Sequence, residues 1–209
     1  MTRKFLFVLG SARTGGNSEL LARKAAEQLA PDVEQRWLHL AEHHLPDFED
    51  HRHDETRPRA RPRPVGDNEA LLLDATLEAT DIVIVSPLYW YSLSATTKRY
   101  LDYWDAWLEV PEVDFKNALE GRTLWGVTAL AHSEEEVAAP LIGTLNHTAA
   151  FFPMHFGGVL LGNGSRPGNV LTDTEALARA KTFFTQEPAL ARYPYQDQGP
   201  DQDQGPDQV

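Results

Sequence analysis

A chain of 209 residues is long enough for one sizeable core and short for two, and 42% hydrophobic against 24% charged residues is the balance of a globular fold. A net charge of −12 argues against general nucleic-acid or anionic-membrane binding, which needs a basic face, and no apolar run approaches the ~18 residues that span a bilayer. The absence of cysteine excludes disulfides, thiolate catalysis and thiolate-held zinc or iron–sulfur centres.

Arg3 and Lys4 ahead of the apolar run 5–9 imitate a secretory leader, but the run is too short for one. We read "KFLFVL" (4–9) as a buried first strand and expect a cytoplasmic protein. "GSARTGGNS" (10–18) then leads into a helical pattern over 18–30, which Pro31 stops. "VEQRWLHL" (33–40) is a second strand, and 41–66 is a polar, proline-broken stretch expected to be a long exposed loop. A helix over 67–79, a strand over 81–86 and a helix over 94–109 follow. After these come a strand over 123–130, a helix over 133–152 opened by a Ser-x-x-Glu capping box, a strand over 155–162 weakened by two glycines, and a helix over 173–186. "DQGPDQDQGPDQ" (197–208) repeats without an apolar residue, so 191–209 is expected to be a disordered tail behind a single domain over 1–190. Strand and helix alternate five times, the pattern of an α/β three-layer sandwich: a five-stranded parallel sheet in the flavodoxin-like order 2-1-3-4-5 with helices on both faces.

Two loops carry the chemistry. A strand, a glycine-rich turn and a helix N-terminus together make an anion site, because the first helical amides lack partners and the helix dipole favours negative charge. Gly16 lets the backbone approach a ligand, while Ser11, Arg13, Asn17 and Ser18 offer donors. The turn lacks the lysine that a triphosphate loop needs, and the dinucleotide fingerprint is absent, so the terminal phosphate of a mononucleotide fits better. The plain alternative is a turn of small residues with Ser18 as N-cap. "SPLYWYS" (86–92) places Pro87, Leu88, Tyr89, Trp90 and Tyr91 beyond the carboxyl end of the third strand, where open α/β sheets bind ligands. Three aromatics there suit a flat ring, a buried plug or a subunit contact.

"GSARTGGNS" together with "SPLYWYSLSATTKRYLD" (86–102) resembles the NAD(P)H-dependent FMN reductase and quinone reductase group of flavodoxin-like proteins, over about residues 4–165. The resemblance implies FMN, its phosphate at Ser11, Arg13, Asn17 and Ser18 and its ring bordered by residues 87–91. A third loop, here "TALAHSEEE" (128–136), would contribute Ala131, His132 and Ser133, although it lacks the glycine-rich turn of many relatives. The implied activity passes reducing equivalents from NADPH or NADH through FMN to a small acceptor such as a quinone or free flavin. The cofactor does the redox chemistry, so no catalytic acid or base is expected, and backbone amides of 87–92 would meet the ring's polar edge. The alternative is a flavodoxin-type FMN electron carrier without nicotinamide activity. Relatives are commonly homodimers or homotetramers; the stripe Tyr100, Trp104, Trp107 and Leu108 reads as core, while Tyr103 carries the aromatics beyond one face and suggests that some of them form a homodimer contact. "RPRARPRP" (57–64) could meet the extra phosphate of NADPH or be a solvated loop, and the irregular spacing of His43, His44, His51 and His53 argues against a metal site.

Overall fold

Phe5 to Leu9 are all buried, so both faces of the first strand must be covered, which is the situation of a central strand in a parallel sheet. The computed structural model, which describes residues 2–51, 56, 67–131 and 134–195, shows that strand as β1 (Lys4–Leu9). It lies between β2 (Glu34–His39) and β3 (Asp81–Val85), with β4 (Thr123–Leu130) and β5 (His155–Asn163) beyond. Every pairing is parallel and the order is β2-β1-β3-β4-β5, as the sequence pattern predicts.

Successive strand residues point to opposite faces, and two cores follow. Phe5, Phe7, Val83, Val85 and Trp125 pack with α1 (Asn17–Ala26) and α6 (Thr174–Ala180). On the other face Leu6, Val8, Ile82 and Ile84 pack with α2 (Asn68–Glu78), α3 (Ala95–Leu108), α4 (Phe115–Leu119) and α5 (Ala139–Phe151). The adjacent glycines near the start of β5 answer to this packing: a Cβ at Gly157 would run into the Trp125 indole, and Gly158 takes a φ of +80° where the β4–β5 register shifts. No helix among the described residues is long and apolar enough to cross a membrane.

Several expectations are corrected. Helix α1 starts at Asn17 with Gly16 as N-cap, so Ser18 lies inside the helix, and it ends at Ala26. The expected helix over 133–152 is a 3-10 turn (Glu135–Ala138) followed by α5, whose first turn holds Pro140, where a missing N–H costs nothing. The pattern over 173–186 divides into α6 and a second 3-10 turn (Phe183–Thr185). The aromatic stripe on α3 is core: Tyr100, Tyr103, Trp104 and Trp107 are buried, Trp104 and Trp107 edge-on to Phe115 of α4 and Tyr100 hydrogen-bonded to Thr76 of α2, while Leu108 is half-buried. Those four rings therefore offer no surface to a second copy.

The stretch 41–66 is not uniformly exposed either. Leu45 is buried, Phe48 meets Tyr103 edge-on, and Arg99 of α3 donates to Leu45 O at 3.1 Å and pairs with Asp47. Residues 52–55 and 57–66, which include the arginine–proline run, lie outside the described residues. At the other end, residues 189–191 lie antiparallel to the start of β5, with Phe156 N donating to Ala189 O and Ala191 N to Met154 O, and 196–209 lie outside the described residues.

Asp173 caps α6 by accepting from Ala176 N at 3.0 Å and also takes Asn163 N at 2.7 Å. Burial raises its carboxyl pKa, but these bonds and the charge of Arg179 outweigh burial and leave it below the ordinary aspartate value. A lowered native pKa means stability that is present above the unfolded value and lost as pH falls through the native one. Asp173→Ala is expected to cost about 1–2 kcal/mol and to flatten the acid limb of a stability-against-pH curve, both read by thermal unfolding.

Candidate functional site

β1 and β3 end side by side, and the loops that leave them are stitched together. Gly10 N donates to Val85 O at 2.8 Å, while Gly10 O accepts from the hydroxyls of Ser94 at 2.6 Å and Thr96 at 2.8 Å. Ser94 is the N-cap of α3, so the same side chain that starts this helix anchors the neighbouring loop. Gly10 must lack a side chain here, because a Cβ would collide with the Thr97 hydroxyl. The Ser86 hydroxyl closes the second loop by accepting from Ser94 N at 2.9 Å and donating to Pro87 O at 3.0 Å.

In the first loop Ser11 Oγ accepts from Arg13 N at 3.0 Å, which folds the backbone back on itself. Gly15 takes a φ of +67°, a conformation that a glycine adopts without a steric penalty. The chain then enters α1, and the first helical acceptor pairing is Leu20 N to Gly16 O at 2.9 Å. The amides of Asn17, Ser18 and Glu19 therefore have no acceptor among the described residues, and Arg13 is exposed without an ion pair there. Unpaired amides at a helix start, with an exposed guanidinium in the loop that leads into it, are a donor set for an oxyanion.

Two predicted donors are engaged differently. The Ser18 side chain is buried: its hydroxyl donates to Ser86 O at 3.3 Å and accepts from Ala129 N at 3.0 Å, tying α1 to the ends of β3 and β4. The Asn17 amide group donates to Gly164 O at 2.6 Å and Arg166 O at 2.9 Å, and its Oδ1 is buried without a partner among the described residues. Both residues thus offer backbone N–H groups outward while their side chains assemble the wall. The segment 164–166 belongs to that wall and was not foreseen. Gly164 approaches Asn17 so closely that a Cβ would lie 2.8 Å from Nδ2, and the only sequence signal is the turn-rich run "GNGSRPGN" (162–169).

In the second loop Tyr89 and Ser92 exchange backbone hydrogen bonds of 3.0 and 3.1 Å around Trp90 and Tyr91. Both central residues have positive φ, +49° and +65°, the signature of a type I′ turn usually built from asparagine and glycine. Large aromatic residues in this conformation are strained by about 1–3 kcal/mol each, and such strain clusters at ligand sites. Trp90 is 92% exposed, Tyr89 and Tyr91 about half. Leu88 is half-buried and packs against the cluster of Leu130, Ala138 and Leu161. Ala131 is exposed where β4 ends, while His132 and Ser133 lie outside the described residues.

Comparison with known proteins gives a family model, described as NADPH-dependent FMN reductase, that matches residues 3–163. A curated protein of Bacillus subtilis (strain 168), provisionally named an NAD(P)H-dependent FMN-containing oxidoreductase, is 29% identical over 188 residues, covering 90% of this chain and 99% of the relative. Among solved structures, the Trp repressor binding protein of Bacillus subtilis superposes with a TM-score of 0.68 at 24% identity, covering 88% of this chain and 99% of that one. An NAD(P)H:quinone oxidoreductase from Methanothermobacter marburgensis gives 0.65 at 13% identity, over 92% of this chain and all of that one. An FMN-dependent NADH-azoreductase from Bacillus anthracis, solved with FMN, gives 0.61 at 14%, over 86% and 96%. At these identities the superpositions speak for the fold.

Proposed function

The chain belongs to the NADPH-dependent FMN reductase family, and on that premise we propose that its FMN is held across the two stitched loops and that its electron acceptor is a quinone or free flavin. The supporting observation is their adjacency: an oxyanion donor set and an aromatic turn, joined through Gly10 O to Ser94 and Thr96, at the carboxyl edge of one sheet. One mononucleotide with a flat head is the simplest ligand for that pair of features.

The chain's own tasks follow from placement. The amides of Asn17, Ser18 and Glu19, with Arg13, would bind the phosphate, and Ser11 would hold the turn that presents Arg13. Pro87 and the Tyr89–Tyr91 turn would border the ring, their faces shielding it from water, and Ala131 would lie at the rim. His132 and Ser133 stay proposals on the sequence resemblance. When bound, FMN supplies hydride acceptance from NAD(P)H and onward transfer to the acceptor.

The test is a visible spectrum of the purified protein, the mass of any released chromophore, and NADPH absorbance with and without a quinone. A flavin spectrum, the mass of FMN and rapid NADPH loss on adding quinone are expected. A protein that holds FMN yet leaves NADPH untouched would be an electron carrier, and one that cannot take up FMN at all would overturn the reading.

A further inference from the structure

Glu19 is 4% exposed although it sits in the first turn of α1, directly behind the loop just described. Its two carboxylate oxygens are divided between two duties. Oε2 accepts from Gly15 N at 2.8 Å. Oε1 takes Nε and Nη2 of Arg23 at 2.9 and 2.7 Å, and His39 Nε2 stands 3.8 Å away. Arg23 is itself fixed, with its guanidinium 4.4 Å over the Trp37 ring, which stacks on Phe7 at 3.8 Å. A buried carboxylate beside an anion loop would ordinarily repel the ligand, and this arrangement removes that penalty while keeping the acceptor.

We propose that Glu19 is a positioning residue that locks Gly15 in its left-handed conformation and so aims the loop amides at a phosphate, with Arg23 as the fixed counter-charge that makes the carboxylate tolerable there. The inference rests on the reading that this loop holds the FMN phosphate. Geometry assigns the two roles separately: the oxygen on Gly15 is not the one on Arg23. Burial raises the Glu19 pKa, but Arg23, Gly15 and His39 together bring it below the ordinary glutamate value, so the side chain is an anion at neutral pH and can only accept. A pre-shaped loop spends less of its binding energy on ordering itself, so the gain falls on the phosphate alone.

The experiment titrates apo-protein with FMN and with riboflavin, which lacks the phosphate, and follows flavin fluorescence. Glu19→Ala is expected to weaken FMN about tenfold while riboflavin changes less than about twofold, and Glu19→Gln, which keeps an acceptor for Gly15, should stay within about threefold of the parent for FMN. Arg23→Met leaves an uncompensated anion and should weaken FMN about fivefold at low salt, with recovery at high salt and in the Glu19→Gln/Arg23→Met pair. Equal losses for FMN and riboflavin, or no loss in Glu19→Ala, would overturn the proposal. If Glu19→Ala does not fold, the Gln and Met variants, which keep side-chain volume, decide by the same criteria. A parent protein that binds FMN no more tightly than riboflavin instead removes the phosphate reading beneath it.

Discussion

Gly10→Ala is expected to lose about 3 kcal/mol of stability and to release FMN, the upper end of what one added methyl group costs in a close-packed place. The new carbon would enter the volume of the Thr97 hydroxyl and lie 3.0 Å from Ser94 Oγ, both on the first turn of α3. Neither neighbour can retreat cheaply. Ser94 caps the helix and donates to Gly10 O, and Thr97 is fully buried. The strain would be relieved by parting the β1 and β3 loops, which is the separation the proposed ligand cannot survive. Thermal unfolding and retention of the flavin spectrum through gel filtration measure the two losses. Removing the struck oxygen in Gly10→Ala/Thr97→Ala should return part of both, since the sites are in contact and their effects are not additive. A Gly10→Ala protein of parental stability that keeps its flavin would show the stitching to be incidental.

Arg13→Ala is expected to weaken FMN about thirtyfold, the worth of a charge-assisted hydrogen bond, while leaving riboflavin unchanged. Arg13 is exposed and has no competing carboxylate among the described residues, so its loss should not disturb the fold. Because the group is in water, the FMN advantage of the parent should shrink as salt rises, and that of the variant should shrink less. Titrations with both flavins at two ionic strengths check this. An FMN-to-riboflavin ratio untouched by the substitution would leave the amides of residues 17–19 as the whole anion site.

The strands were legible because burial on both faces forces continuous apolar runs: β1 and β4 have the bounds that "KFLFVL" and "TLWGVTAL" suggest. The helical patterns over 67–79, 94–109 and 173–186 open on the residues that cap with their side chains, Asp67, Ser94 and Asp173. Helix α4 escaped notice because five residues are too few to show a period, and Asp114 ahead of it takes a left-handed φ of +45° that nothing nearby announces. The two candidate loops were visible as residue types, but their wiring was not. Asn17 finds its partners 147 and 149 residues away, and no local pattern reports a contact across that separation. The type I′ turn was hidden for a different reason. Its usual marker is asparagine–glycine, and a Trp–Tyr pair in its place reads as an apolar stretch until the backbone angles are known. Nothing in the sequence marks Glu19, since spacing alone does not distinguish a solvated carboxylate near a helix start from a buried one.

The chain has five tryptophans, and they occupy unlike surroundings. Trp104, Trp107 and Trp125 are sealed in the interior, and Trp37 lies between Phe7 and Arg23, which leaves Trp90 as the indole standing in open solvent. Water-borne quenchers such as iodide or acrylamide will therefore extinguish chiefly the red-shifted part of the emission, and that part belongs to the aromatic turn. The molecule carries its own optical gauge at that turn, one that reads whether something lies over it without any label being attached.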